Sequence, residues 1–187
     1  MWPLILTSVI SLTVVLERIY FILTISASRR PKTVENILSA VENGDIHAAI
    51  EAGKNSRDFI AVTLVYGLKQ RDQSLPNALL KASNRQLKSF NQGLSVLDTV
   101  ITLAPLLGLL ATVTGMIRAF GLLGGRELDA PTVITGGIAE ALIGTAFGLG
   151  IAVIALIPFN YLNARLEEAR HELEDASTQL ELLLKKT

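Results

Sequence analysis

Two long stretches of this chain, residues 99–117 and 141–164, contain no Asp, Glu, Lys, Arg or His. A helix needs about 20 mainly apolar residues to cross the hydrocarbon of a bilayer. Inside lipid every backbone N–H and C=O must bond within the protein, so stretches of this kind fold as helices. A soluble chain of 187 residues offers little core in which to hide two of them. Residues 1–16 are also free of charge, and the run reaches membrane-spanning length if it continues through Glu17 and Arg18 to about Ile25. Only 18% of the chain is charged, against about 25% for a soluble domain. The fold class expected is all-α, a polytopic membrane protein with three transmembrane helices extended by long cytoplasmic helices.

The boundaries follow from the charges. Spans are expected at 1–25, 96–120 and 136–160. A cytoplasmic helical region occupies 26–95, a periplasmic connection 121–135, and a helical tail 161–187. Arg29, Arg30 and Lys32 follow the first span directly, and seven more basic residues lie between Lys54 and Lys88. The connection offers only Arg126, with Arg118 at its edge. Basic loops stay in the cytoplasm, so 26–95 and the tail are expected inside and the N-terminus outside. The first span does not read as a secretory signal, because no basic residue precedes it and no cleavage site is evident. Glu17-Arg18 reads as an interfacial ion pair that fixes depth, with Arg18 snorkelling and Tyr20 among headgroups.

The polar region carries helix punctuation. Thr33 or Ser28 is a candidate cap for a helix through Val34, Ile37, Leu38 and Val41. Glu42-Asn43-Gly44-Asp45 is a turn signal, and a short helix from His47 ends at Gly53. A pattern from Leu75 to Leu97 is expected to run unbroken into the second span. In the tail, Leu162, Leu166, Ala169, Leu173, Ala176, Leu180 and Leu183 alternate four and three apart. That stripe calls for a helical partner, either the helix around 75–95 or a second copy of itself.

Within the membrane, small residues dominate two faces. Pro105, Gly108, Thr112, Gly115 and Ala119 follow each other three or four apart, as do Ala141, Thr145, Gly148 and Ala152. Small residues let neighbouring helices approach, and Gly144 adds to the second face. Pro105 removes an N–H and frees a carbonyl. Thr112 and Thr145 each lie eight or nine residues from the outer ends of their spans, roughly 12–14 Å deep. Antiparallel spans would therefore set them at similar depth. Their hydroxyls either hydrate a narrow path or bond within and between helices. Glu140 lies beside the second face. An intramembrane carboxylate is costly and normally faces a cavity or a partner, although its early place in the span also suits a structural charge. Asp98, at the cytoplasmic end of span two, has no assigned role.

Other classes lack support. The formal net charge is zero, so nothing points to nucleic acid. The chain has no cysteine, and His47 and His171 stand far apart in polar segments. No metal site, cofactor or enzyme chemistry is indicated. Three spans without an inverted repeat do not suit a solute carrier acting alone.

Three segments carry a resemblance to a known family: Glu17-Arg18, APLLGLLATVTGM at 104–116, and IAEALIGTAFGLGIAVIALIPFNYL at 138–162. They resemble the bacterial proton-channel subunits that include TolQ, ExbB and the flagellar stator subunit MotA, with the ExbB/TolQ branch closest. The family motif often reads Gly-Thr-Val where Ala111 precedes Thr112, and Ala-Thr-Ala or Thr-Thr-Ala where Gly144 precedes Thr145. Neither change removes a polar group. The resemblance implies a homopentamer in the bacterial inner membrane, surrounded by lipid, with spans two and three lining a pore and span one outside them. It implies that the pore holds a dimer of a small single-span subunit similar to ExbD or TolR, whose aspartate carries the proton. Thr112, Glu140 and Thr145 would line the route, and a TonB-like or TolA-like protein would pass work to the outer membrane. The cytoplasmic region is small for a flagellar stator. The alternatives are a non-conducting scaffold for a partner helix and a stator-like subunit of another motility system.

Overall fold

Helices form wherever the sequence is apolar or amphipathic, and glycine, proline and capping residues set their ends. The computed structural model describes residues 2–121 and 130–186, and no strand occurs among them. The helices are α1 (Trp2–Ser28), α2 (Pro31–Glu42), α3 (Ile46–Gly53), α4 (Phe59–Lys69), α5 (Arg71–Asn91), α6 (Leu94–Gly121) and α7 (Ala130–Lys186). Three helical stretches among the described residues are long and apolar enough to cross a membrane. The architecture is all-α, as expected. The connection expected at 121–135, with Gly124-Gly125 and Arg126, falls largely outside the described residues.

The chain divides into two compact units. The first comprises residues 1–18 and 93–162, and holds the most apolar parts of α1, α6 and α7. Its outward faces are oily: Trp2, Leu6, Leu12, Leu106, Ile117, Leu142 and Ile157 are all more than half exposed. Such surface is stable only against lipid or other protein. Threonines within these helices satisfy their own hydroxyls. Thr7 donates to the Leu4 carbonyl at 2.9 Å, Thr13 to Val9 at 2.8 Å and Thr114 to Leu110 at 2.9 Å. Back-bonding of this kind removes the cost of placing a hydroxyl in an apolar medium.

On α1, Leu4, Ser11 and Arg18 are seven apart and all buried. Arg18 departs from the snorkelling expected of it. Its Nε and Nη2 both donate to the Glu17 carboxylate. Its aliphatic stem crosses Gly93, where an added Cβ would lie 3.1 Å from Cδ. Gly93 has φ +78°, a conformation that glycine adopts without penalty. It ends the helical pattern expected to run unbroken into span two, so α5 stops at Asn91 and α6 starts at Leu94.

The second unit comprises residues 19–92 and 163–187. Its centre is α4, where Phe59, Ile60, Ala61, Thr63, Leu64, Val65, Gly67 and Leu68 are all buried. Residues α2 and α3 contribute from opposite sides of a turn at Gly44, whose φ is +78°. Asp45 caps α3 by accepting from the Ala48 N–H at 2.9 Å. Neither Thr33 nor Ser28 caps α2. That helix starts at Pro31, whose missing N–H costs nothing in a first turn, while Ser28 donates back to the Thr24 carbonyl. Ser74 is extended (φ −173°, ψ 102°) and breaks α5 just before Pro76, which therefore sits where a proline belongs. The tail stripe is covered within the chain: Leu166, Ala169, Leu173, Ala176 and Leu180 are buried. It needs no second copy.

A charged knot closes this unit. Asp58 has 0% exposed side chain and precedes α4. Its Oδ1 accepts from the Ile60 N–H at 2.9 Å and from Arg29 Nη1 at 2.8 Å, and its Oδ2 accepts from the Arg30 N–H at 2.6 Å. Arg29 also reaches Glu172 at 3.0 Å and lies 4.8 Å from the Phe59 ring centre. Phe90 stacks edge-on against both Phe21 and Phe59.

Candidate functional site

The small-residue faces of α6 and α7 meet. A Cβ added at Gly148 would lie 2.5 Å from the Ala104 carbonyl oxygen and 3.0 Å from Gly108 Cα. One at Gly108 would lie 3.1 Å from Thr145 Cα, and one at Gly144 would lie 2.7 Å from Ala111 Cβ. Further along, Gly115 meets Ala141 at 2.8 Å and Gly137 meets Ala119 at 2.7 Å. As residue numbers rise on α6 they fall on α7, so the helices are antiparallel. At Gly108 and Gly148 one backbone presses on the other, and at the other crossings a glycine meets an alanine methyl, an approach that small residues allow. Of the residues assigned to helix packing, Gly108, Gly115, Gly144 and Gly148 meet the facing helix here, and Pro105 follows Ala104 on α6. Gly108, Gly144 and Gly148 are buried, and Pro105 and Gly115 are half-buried.

The two threonines bond in different ways. Thr145 Oγ1 donates across the seam to the Gly108 carbonyl at 2.9 Å. Thr112 Oγ1 donates within its own helix to the Leu109 carbonyl at 2.6 Å. Thr145 is level with Gly108, and Thr112 is four residues farther along α6, about 6 Å at 1.5 Å per residue. The Gly115–Ala141 crossing puts Glu140 farther again toward the Gly121 end of α6. From the Gly121 end of α6 the axial order is therefore Glu140, Thr112, Thr145, a ladder rather than a level pair. Each hydroxyl keeps lone pairs able to accept from water.

Glu140 is exposed and lines a cavity of about 450 Å³ with Pro3, Leu4, Thr114 and Arg118. In the sequence Arg118 marks only the edge of the connection, with no sign that it is joined to Glu140. Their shared cavity depends on the register of the seam, which residue spacing alone does not give. Among the described residues no cluster of His, Asp or Glu is placed to hold a metal.

The fold and the seam define a class, a polytopic helical membrane subunit whose second and third spans are locked together through small residues. Sequence comparison narrows this. The model of the MotA/TolQ/ExbB proton channel family matches residues 52–175, and the chain belongs to that family. It is 34% identical over 190 residues to an ExbB-like biopolymer transport protein of Synechocystis, covering 98% of this chain and 74% of that one. It is 36% identical over 107 residues to the Tol-Pal system protein TolQ of Haemophilus influenzae, covering 53% of this chain and 47% of that one. It is 34% identical over 118 residues to the biopolymer transport protein ExbB of Pseudomonas putida, covering 63% and 35%. The chain is thus an energy-transducing membrane subunit of the ExbB/TolQ branch, and its three apolar helices with that family make it an inner-membrane protein.

Proposed function

We propose that this subunit conducts protons together with a small single-span partner similar to ExbD or TolR, and that proton flow moves the partner. The observation that carries the reading is the near absence of titratable groups inside the spans. Residues 99–117 and 141–164 have no acid, base or histidine. Hydroxyls and waters can order a path, but they do not replace a proton-carrying side chain at mid-membrane. A second chain must supply it. Five copies of α6 and α7 would enclose a dimer of that chain, with α1 outside, the N-terminus periplasmic and the C-terminus cytoplasmic. Glu140, Thr112 and Thr145 would succeed one another along the route. A TonB-like or TolA-like protein would receive the motion, in support of TonB-dependent transport or Tol-type envelope function.

The cross-seam bond from Thr145 to Gly108 supports a second reading, in which the helices form a non-conducting scaffold. Proton flux into vesicles containing the subunit and its co-purified partner separates the two. Glu140→Gln and Thr145→Val are each expected to abolish flux while the oligomer mass is unchanged. Normal flux in both variants would remove these residues from the route and favour the scaffold.

A further inference from the structure

We infer that Asp98 is the group through which protons leave this route at its cytoplasmic end. The inference rests on the proposed function, specifically on Thr112 facing the path. Asp98, Pro105 and Thr112 are seven apart on α6. Two turns of helix advance about 10.5 Å and drift only about 20°. The three residues therefore form one line, with Asp98 about 21 Å below Thr112. Whatever passes Thr112 on this line meets Asp98 at the cytoplasmic end.

The surroundings suit a wet mouth. Asp98 is exposed, whereas its neighbours Leu97 and Val100 are 0% and 4% exposed. Its carboxylate projects away from the packing that buries them. Around it lie Ser95, Thr99 and Thr102, polar side chains spread over about two turns at the base of an otherwise oily helix. Thr102 donates to the carbonyls of Asp98 and Thr99 at 3.1 and 3.0 Å, and Thr99 to that of Ser95 at 2.8 Å. The hydroxyl protons are thus committed, and the oxygens remain free to accept from water.

Structural explanations do not cover this residue. No acidic residue is in the first turn of α6, so Asp98 lies beyond the reach of the helix-end charge. No ion pair holds it among the described residues. A carboxylate at the edge of a span is costly unless it faces water or a partner. Rings of carboxylates at a pore mouth raise the local cation concentration. The chemistry is a relay: the carboxylate takes a proton from a hydrated proton in the path, releasing water. It then returns that proton to a cytoplasmic water, with no net change.

The test uses the full chain with its co-purified partner in vesicles under an imposed proton gradient. Asp98→Asn is expected to lower flux about tenfold with oligomer mass and partner content unchanged, and Asp98→Glu to retain most of it. Thr112→Val is measured in parallel. Wild-type flux in Asp98→Asn beside blocked flux in Thr112→Val would overturn the role of Asp98 alone. Normal flux in both would show that this line of α6 does not face the path, and the underlying reading would fall with it. Loss of the oligomer in Asp98→Asn would assign the carboxylate to subunit packing, and would also overturn the inference.

Discussion

Replacing Asp58 with alanine is expected to destabilise the second unit by about 3 kcal/mol. Two contributions can be estimated separately. Removing the α4 N-cap costs about 1 kcal/mol. Losing the charged hydrogen bond to the Arg30 N–H costs about 1.5–3 kcal/mol. The pair with Arg29 contributes as well, because Asp58 is fully buried and its partner is only 24% exposed. The other carboxylate on Arg29 provides an internal control. Glu172 is 39% exposed, so its pair is screened by water, and Glu172→Ala should cost less than about 1 kcal/mol. Thermal unfolding of the purified protein measures both, and hydrogen exchange locates the loss. Asp58→Ala should expose the amides of α4 first, since Asp58 holds its first turn. Equal destabilisation by the two variants would refute the argument that burial sets the strength of this knot.

Asp58 also shows what residue spacing conceals. An aspartate before an apolar run is a legible cap signal, and the run from Phe59 to Leu68 is plainly apolar. Nothing local reveals that Arg29, 29 residues earlier, closes on the same carboxylate, because that contact is set by tertiary packing. The α6–α7 seam lies at the other extreme. Its residues were readable because close helix approach needs Gly or Ala at every third or fourth position, and few other pressures produce that pattern. Its register was less readable. Residue spacing puts Thr112 and Thr145 at similar depth, whereas the crossings pair Thr145 with Gly108. The tail stripe was legible as a buried face, but period alone does not name the partner, and this chain covers it. The break at Gly93 was written in the sequence as a glycine after a polar helix end. The apolar spacing of Leu79, Ala82 and Phe90 masks it by continuing at Leu94 and Leu97.

The seam yields the other large prediction. Gly148→Ala should weaken the α6–α7 pairing by about 1–3 kcal/mol, the usual cost of overfilling a packed contact. The added methyl would meet the Ala104 carbonyl oxygen at 2.5 Å, and backbone cannot swing aside as a flexible side chain can. Gly144→Ala should cost less, because its obstacle at 2.7 Å is the Ala111 methyl, which small shifts relieve. Gly150 tests the geometry from the other direction. Nothing lies within 4 Å of a Cβ built there, and alanine is the better helix former by about 1 kcal/mol. Gly150→Ala should leave the pairing intact. Thermal melting of the detergent-solubilised protein should therefore rank Gly148→Ala below Gly144→Ala, with Gly150→Ala near wild type. If the subunit works as proposed, flux should fall in the same order. Widening the seam at Gly148 also pulls the Gly108 carbonyl away from Thr145, so one methyl group disturbs packing and proton path together.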